Sequence, residues 1–123
     1  MPQPIVAVDD DDRLYRRLVP DHFYDDGSGS VKSNAYKLDG KPDPSISVDL
    51  AKLTTVDESI ARGRRGDTQI GVLRVGDVRA LGLTVRHDPT EENPSHTLIE
   101  GNLKKENCKA LARITKKPEA EPK

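Results

Sequence analysis

Core-forming side chains are scarce in this chain, and their number and spacing limit what it can fold into. Leu, Ile, Val and Phe together account for 28 of the 123 residues. This share lies just above the roughly 20 % below which chains are usually disordered, so it suffices for one small core. We therefore expect a single domain over residues 1–117, followed by a charged and disordered tail over 118–123.

The apolar residues occur in short runs, most of which alternate with polar residues, and such alternation is typical of half-buried strands. Strands are predicted over 5–8, 31–38, 45–50, 83–87 and 95–100, and a nearly continuous apolar run over 68–75 predicts a central strand covered on both faces. The strands over 31–38 and 45–50 are expected to form a hairpin. In the second of these strands, alternation predicts that Ile46, Val48 and Leu50 face the core and that Ser45, Ser47 and Asp49 face outward. The prediction is an α+β fold with a mixed or mostly antiparallel sheet of about five strands and a C-terminal helix packed on one face.

Four consecutive aspartates beginning at Asp9 favour the start of a helix, because negative charge is stabilised at a helix N-terminus. A short helix is accordingly predicted over 13–19. Ion pairs between residues four apart, such as Asp9 with Arg13 and Asp12 with Arg16, would neutralise this segment.

Two further helix starts are marked by capping residues. Thr55 and Glu58 have the spacing of a capping box, which predicts a helix over 56–62. Asp77 is expected to cap a single helical turn that Gly82 closes.

The same composition excludes several classes of protein. No apolar run approaches the roughly 18 residues that a transmembrane helix needs. The one cysteine, Cys108, rules out an internal disulfide and a cysteine zinc cage and is expected to be a buried thiol. The chain has neither of the glycine-rich patterns that bind nucleotide phosphates, so we expect no cofactor.

The histidines are the main candidates for catalysis. If the strands over 83–87 and 95–100 form a hairpin, His87 and His96 would project from one end of the same sheet face, close to Asp88. Two imidazoles would divide acid and base roles on a phosphate ester, with Arg13 or Arg16 as the group that binds the anion. They would also suit a divalent metal, but their spacing matches no established ligand pattern, and we predict no metal site. The structural alternative is a pair of ordinary hydrogen-bonded histidines.

The loop before the last strand contains the segment Asn93-Pro94-Ser95-His96. An Asn-Pro turn that leads into the strand would explain it, and so would a rigid functional loop. Asn93 and Ser95 are therefore retained as candidate loop residues.

A final helix is predicted over 103–117, with Cys108 and Leu111 in its apolar stripe. Its opposite face carries four basic residues, Lys105, Lys109, Arg113 and Lys116. The charge of the chain is polarised, because residues 1–26 carry a net charge of −4 and residues 104–123 a net charge of +4. The basic face is thus the predicted partner-binding surface. Because it lacks aromatic residues, neither base stacking nor membrane insertion is favoured.

Three functions follow from these features. The first is a binding or regulatory module that acts on another protein or forms a homodimer, which fits the absence of catalytic signatures and the charge polarity. The alternative is a small hydrolase or transferase for a phosphate-containing substrate, with His96 as acid or base. The third is weak nucleic-acid binding through the last helix. Chain size and cysteine usage are typical of a small cytoplasmic, bacterial protein.

Overall fold

A five-stranded antiparallel sheet organises the part of the chain that the computed structural model describes, which comprises residues 5–18, 45–62, 69–101 and 105–116. The strands are β1 (Arg13–Leu18), β2 (Ser45–Leu50), β3 (Gln69–Arg74), β4 (Thr84–His87) and β5 (His96–Glu100), in the spatial order β3-β1-β2-β5-β4. The helices are α1 (Val56–Ala61), α2 (Val75–Arg79) and α3 (Lys105–Ile114), and a single 3₁₀ turn (Ala51–Leu53) follows β2. The predicted fold class is confirmed. The predicted strand over 31–38, its hairpin and the tail over 118–123 lie outside the described residues.

The hydrophobic core lies on one face of the sheet, here called the core face. Cross-strand partners share a face, and Ile46 opposite Ile99 and Leu14 opposite Leu50 are all fully buried. Helices α2 and α3 cover this face and contribute Val78, Cys108, Leu111 and Ala112 to the same cluster. The other face, here called the outer face, carries Ser47, Asp49, His96, Leu98 and Arg86 by the same register. The outer face therefore carries several polar and ionisable side chains that lie on neighbouring strands.

Strand β1 corrects the predicted helix over 13–19. Leu14 and Leu18 are both fully buried, and a separation of four residues places two side chains on one face of a helix or of a strand. Pairing decides between the two, because β1 joins β3 along its whole length from Arg13↔Arg74 to Leu18↔Gln69. The ladder pairs β1 with β3 along one edge and places both leucines in the shared core.

The aspartate run consequently pairs with distant residues instead of with the arginines of β1. Asp10 binds Arg79, Asp11 binds Arg74 and Asp12 binds Lys52, at 2.7–2.9 Å. The predicted pairs four residues apart do not form, because a strand points those side chains elsewhere. These ion pairs fasten the N-terminal segment to the rest of the domain.

The segment over 5–8 has no regular secondary structure, so it is not the predicted strand. Its main-chain N–H and C=O groups form hydrogen bonds with side chains rather than with a neighbouring strand. The main-chain N–H of Val6 donates to His87, and Lys52 and Arg79 donate to the main-chain oxygens of the next two residues. The segment therefore lies against the end of the sheet without joining it.

Helix α2 begins at Val75, earlier than predicted, and Asp77 lies inside its first turn instead of capping it. The first two N–H groups of the helix donate to the main-chain oxygens of Asp12 and Asp10 at 2.9 and 2.8 Å. The N-terminal segment thus supplies the cap. Gly82 ends the turn as predicted, with a positive φ of 83° that favours glycine.

Two further local predictions concern helix α1 and strand β3. Thr55 caps α1, because its hydroxyl oxygen accepts the N–H of Glu58 at 3.1 Å. Strand β3 is buried on both faces as expected, but it lies at the edge of the sheet and not at its centre. On that edge, Val72 exchanges two main-chain hydrogen bonds with Lys116, beyond the end of α3.

Candidate active site

The two histidines predicted to act together lie on opposite faces of the sheet. Strands β4 and β5 do form the expected hairpin, but its register places His87 opposite Thr97. His87 therefore shares the core face with Thr97, while His96, one residue earlier in β5, points to the outer face. The prediction of a shared face is wrong because a register offset of one residue reverses the side of a strand.

His87 is a structural residue, since both ring nitrogens are occupied and its side chain lies in the core. Nδ1 accepts the main-chain N–H of Val6 at 3.0 Å. Nε2 must then carry the proton, and it donates to the main-chain oxygen of Pro94 at 2.7 Å. The residue is 3 % exposed, so a substrate has no access to it. His87 joins the N-terminal segment to the turn before β5.

His96 has the surroundings of a general base. Its Nδ1 faces the main-chain oxygen of Asp88 at 2.9 Å and a carboxylate oxygen of the same residue at 3.3 Å. A carbonyl oxygen and a carboxylate oxygen can only accept hydrogen bonds, so Nδ1 of His96 carries the proton and Nε2 has the free lone pair. That lone pair faces the Ser47 hydroxyl oxygen at 3.3 Å, and the hydroxyl donates to it. The tautomer of the ring is therefore fixed by its neighbours.

Three neighbouring strands assemble this arrangement on the outer face. Ser47 lies on β2, His96 on β5, and Asp88 directly follows β4. The main-chain N–H of Asp88 continues the ladder by donating to the oxygen of His96 at 2.8 Å. Ser47 is exposed to solvent. A hydroxyl bonded to an imidazole that a carboxylate orients is the arrangement that activates serine as a nucleophile.

Arg86 and Glu100 extend the polar chain beyond Asp88. The Arg86 guanidinium donates to the second carboxylate oxygen of Asp88 at 3.4 Å and to Glu100 at 2.9 Å. The hydrogen bond to the Glu100 carboxylate raises the pKa of Arg86, which therefore stays charged. With one oxygen of Asp88 facing His96 and the other facing Arg86, the carboxylate is oriented at both ends.

Arg16 reaches the same serine from the neighbouring strand. The β1–β2 ladder includes only Leu14↔Leu50 and Tyr15↔Asp49, and beyond it the Arg16 side chain donates to the main-chain oxygen of Ser47 at 2.9 Å. Arg16 alternates with the buried Leu14 and Leu18 on β1, so its side chain leaves the strand on the core face, and its hydrogen bond with Ser47 is to the main chain of that residue. Of the predicted catalytic residues, His96 is the one that contacts the side chain of this serine, which sequence analysis did not single out. Only strand register could have identified Ser47, because it lies 49 residues from His96.

A buried carboxylate beside this site was also missed. Asp49 is fully buried, although it lies on the outer face as the alternation predicts. It accepts hydrogen bonds from Arg17 at 2.9 Å, from Asn93 at 2.8 Å and, at shorter range, from Ser59. Arg62 is its second cationic partner, at 3.5 Å. Helix α1 supplies Ser59, and Arg62 directly follows the helix. The packing of α1 over the outer face buries the Asp49 carboxylate.

The two loop candidates belong to the network around Asp49. The Asn93 side-chain oxygen accepts the main-chain N–H of Ser95 at 3.1 Å and also its hydroxyl. Ser95 is 1 % exposed and also accepts a hydrogen bond from Arg62 at 3.0 Å. Both residues shape the turn that leads into His96.

The predicted basic face lies on the opposite side of the domain core from this site. Lys109 and Arg113 are exposed on α3, and Lys105 is its first residue. Lys116 is exposed but lies beyond the end of the helix, contrary to the prediction, because its backbone pairs with Val72 of β3. Cys108 is buried as expected.

Among residues 5–18, 45–62, 69–101 and 105–116, no group of three or more His, Cys, Asp or Glu side chains is placed to hold a metal ion. None of the helices in those ranges is long and apolar enough to cross a membrane. Comparisons with protein-family models, with curated proteins and with solved structures found no match for this chain.

Proposed function

We propose that this protein is a small hydrolase in which Ser47 is the nucleophile, His96 the general base and Asp88 the carboxylate that orients the base. One observation carries the proposal: the neighbours of His96 fix its tautomer so that the free lone pair faces an exposed serine hydroxyl. Contacts of 3.3 Å are typical of such sites without substrate, because catalytic hydrogen bonds tighten when substrate binds.

In the proposed reaction, the Ser47 oxygen attacks the carbonyl carbon of an ester while its proton passes to Nε2 of His96. The bond to the alcohol then breaks, and the departing oxygen takes the proton from His96. A water molecule attacks the resulting acyl-serine and gives a proton to His96, and Ser47 recovers that proton as the acid leaves. Asp88 stabilises the imidazolium between these steps. A positioned general base contributes about 10²–10⁴-fold to such a rate.

Arg16 supports a negatively charged substrate. Its guanidinium donates to the main-chain oxygen of Ser47, so its positive charge lies close to the backbone of the nucleophile, although Arg16 shares the core face of β1 with Leu14 and Leu18. Guanidinium groups bind phosphate and carboxylate through paired hydrogen bonds. We therefore propose an ester that carries a phosphate group, which retains the substrate class that the sequence predicts and replaces the two-histidine mechanism with a serine–histidine one.

A fluorophosphonate probe, which phosphonylates activated serines with loss of fluoride, tests this proposal. We expect intact mass spectrometry to show one label per chain, no label in Ser47→Ala, and labelling slowed at least about 100-fold in His96→Gln. Ser45→Ala is the matched control, since Ser45 lies on the same face of the same strand, and it should be labelled like the wild type. Failure of the folded wild-type protein to react, or equal labelling of Ser47→Ala, would exclude Ser47 as the nucleophile.

A second candidate function is binding of an acidic protein surface, which the exposed side chains of Lys109, Arg113 and Lys116 favour. We propose a charge reversal, Lys109→Glu combined with Arg113→Glu, and a pull-down split into nuclease-treated and untreated halves. Loss of a nuclease-resistant partner on charge reversal would support protein binding, and a partner lost on nuclease treatment would support nucleic-acid binding. Retention of all partners by the variant would exclude this face.

We also infer a cytoplasmic location, which the single buried thiol of Cys108 supports, because secreted domains of this size usually contain disulfides. Fractionation of the producing cell tests this. Recovery outside the cytoplasm would contradict it.

A further inference from the structure

We infer that Asn93 is a positioning residue that holds the turn over 93–96 so that His96 meets both Asp88 and Ser47. The inference rests on the proposed function for its catalytic consequence, but the placement of the imidazole can be measured separately. His96 is the first residue of β5, so the direction of its side chain depends on how the preceding turn enters the strand.

Both the nitrogen and the oxygen of the Asn93 side-chain amide form hydrogen bonds within the protein. Its amide nitrogen donates to Asp49 at 2.8 Å, and its amide oxygen accepts the main-chain N–H of Ser95 at 3.1 Å. Because a carboxylate only accepts and a main-chain N–H only donates, the orientation of the amide is fixed. The main-chain oxygen of Asn93 accepts the N–H of His96 at 3.1 Å, which closes the turn.

Asp49, which accepts the hydrogen bond from the Asn93 amide, is held in place by several contacts. Asp49 is fully buried and is also bonded to Arg17 and to Ser59, which belong to β1 and α1. It pairs directly with His96 in the β2–β5 register, so the anchor and the catalytic imidazole occupy neighbouring positions on the outer face. A displacement of the turn relative to Asp49 therefore displaces His96 relative to β2, the strand that carries Ser47.

A second contact holds the turn from the core face. The buried His87 ring donates to the main-chain oxygen of Pro94 at 2.7 Å. This contact fixes the middle of the turn, while Asn93 fixes its beginning and ties it to the outer face. His87 therefore contributes to the site through the turn and not as a second catalytic base.

The contacts of the His96 ring are sensitive to small changes in the orientation of the imidazole. Besides the 2.9 Å contact with the main-chain oxygen of Asp88, the ring contacts the Asp88 carboxylate and the Ser47 hydroxyl at 3.3 Å each, so a small rotation of the ring breaks one of these two longer contacts. Misplacement of a catalytic group by about 1 Å can cost about 100-fold in rate. Loss of the Asn93 side chain should therefore reduce reactivity far more than loss of an exposed neighbour.

The experiment compares Asn93→Ala with Glu92→Ala, an exposed residue of the same loop. Nitrogen-15 NMR of the imidazole reports which ring nitrogen of His96 carries the proton, and the fluorophosphonate probe reports the reactivity of Ser47. We expect the Nδ1–H tautomer in the wild type and in Glu92→Ala. In Asn93→Ala we expect a mixture of tautomers and labelling slowed about 10–100-fold, with the circular dichroism of a folded protein.

A second variant keeps the inference testable if Asn93→Ala does not fold. Ser95→Ala removes one hydroxyl contact to Asn93 and should shift the tautomer and the labelling rate in the same direction by a smaller factor. Wild-type tautomer and labelling rate in a folded Asn93→Ala, or in Ser95→Ala where Asn93→Ala is unfolded, would overturn the inference. A tautomer that changes on substitution in a protein that never reacts with the probe would support the positioning role and refute the hydrolase proposal.

Discussion

Replacement of Asp49 with alanine tests how the outer face is held together. Asp49 accepts hydrogen bonds from Arg17, Ser59 and Asn93, and Arg62 is a second cation at 3.5 Å. The variant leaves two guanidinium groups without their shared carboxylate and leaves the buried Ser59 hydroxyl without its acceptor. Removing one partner of a buried ion pair typically costs about 3–5 kcal/mol.

The structure places the expected cost at the lower end of that range. The side chains of Arg17 and Arg62 are 23 % and 25 % exposed, so water replaces part of what they lose. We therefore expect Asp49→Ala to lower the free energy of unfolding by about 3 kcal/mol, a large part of the roughly 5–15 kcal/mol typical of a domain. For a domain of this size, such a loss corresponds to a fall in Tm of roughly 10 °C.

Urea denaturation followed by circular dichroism measures this cost directly. Glu92→Ala provides a control for loss of an exposed carboxylate and should change the free energy of unfolding by less than about 0.5 kcal/mol. In a double-mutant cycle, Arg17→Ala should cost less in the Asp49→Ala background than in the wild type, because the two residues interact directly. A loss below about 1 kcal/mol for Asp49→Ala, or strict additivity with Arg17→Ala, would refute the view that this carboxylate organises the outer face.

Three further perturbations test separate parts of the fold. A Cβ at Gly71 would lie 2.5 Å from a methyl carbon of Thr115, so Gly71→Ala should destabilise the domain by about 1–3 kcal/mol in urea denaturation, and an unchanged midpoint would contradict the close packing of Thr115, which follows α3, on β3. Thr55→Ala removes the cap of α1 and should cost about 1 kcal/mol by the same assay, whereas Thr55→Ser should restore most of it. A hydrogen bond from the main-chain N–H of Asp9, and then the contact with Lys52, hold the pKa of Asp12 below its ordinary value of 3.8. The stability that Asp12 contributes is therefore complete above pH 3.8 and is lost as the pH falls through the lowered pKa. Asp12→Asn should reduce the loss of stability in acid below that pH, and an acid denaturation profile identical to that of the wild type would contradict this expectation.

Local patterns in the sequence were sufficient for several elements. Alternation predicted β2, and Ile46, Val48 and Leu50 are buried as expected. Successive side chains of a strand point to opposite faces, so every second residue of β2 packs on the core. The capping box at Thr55 predicted the start of α1, since that signal depends only on residues three apart. The same local rules failed at β1, where a leucine spacing of four residues is compatible with both a helix and a strand.

The candidate site required information that no local pattern contains. Alternation shows which residues of one strand share a face, but the register between strands decides which residues of different strands meet. His96 was recognised as a candidate because histidine titrates near neutral pH, yet its partner Ser47 emerged only from the pairing of β2 with β5. Asp49 was assigned to the correct face of β2, and only the packing of α1 over that face decided that its carboxylate is buried. The sequence by itself thus determined the main elements and the α+β class, because these depend on short-range spacing. Tertiary structure decided the site, because it depends on contacts between residues far apart in the chain.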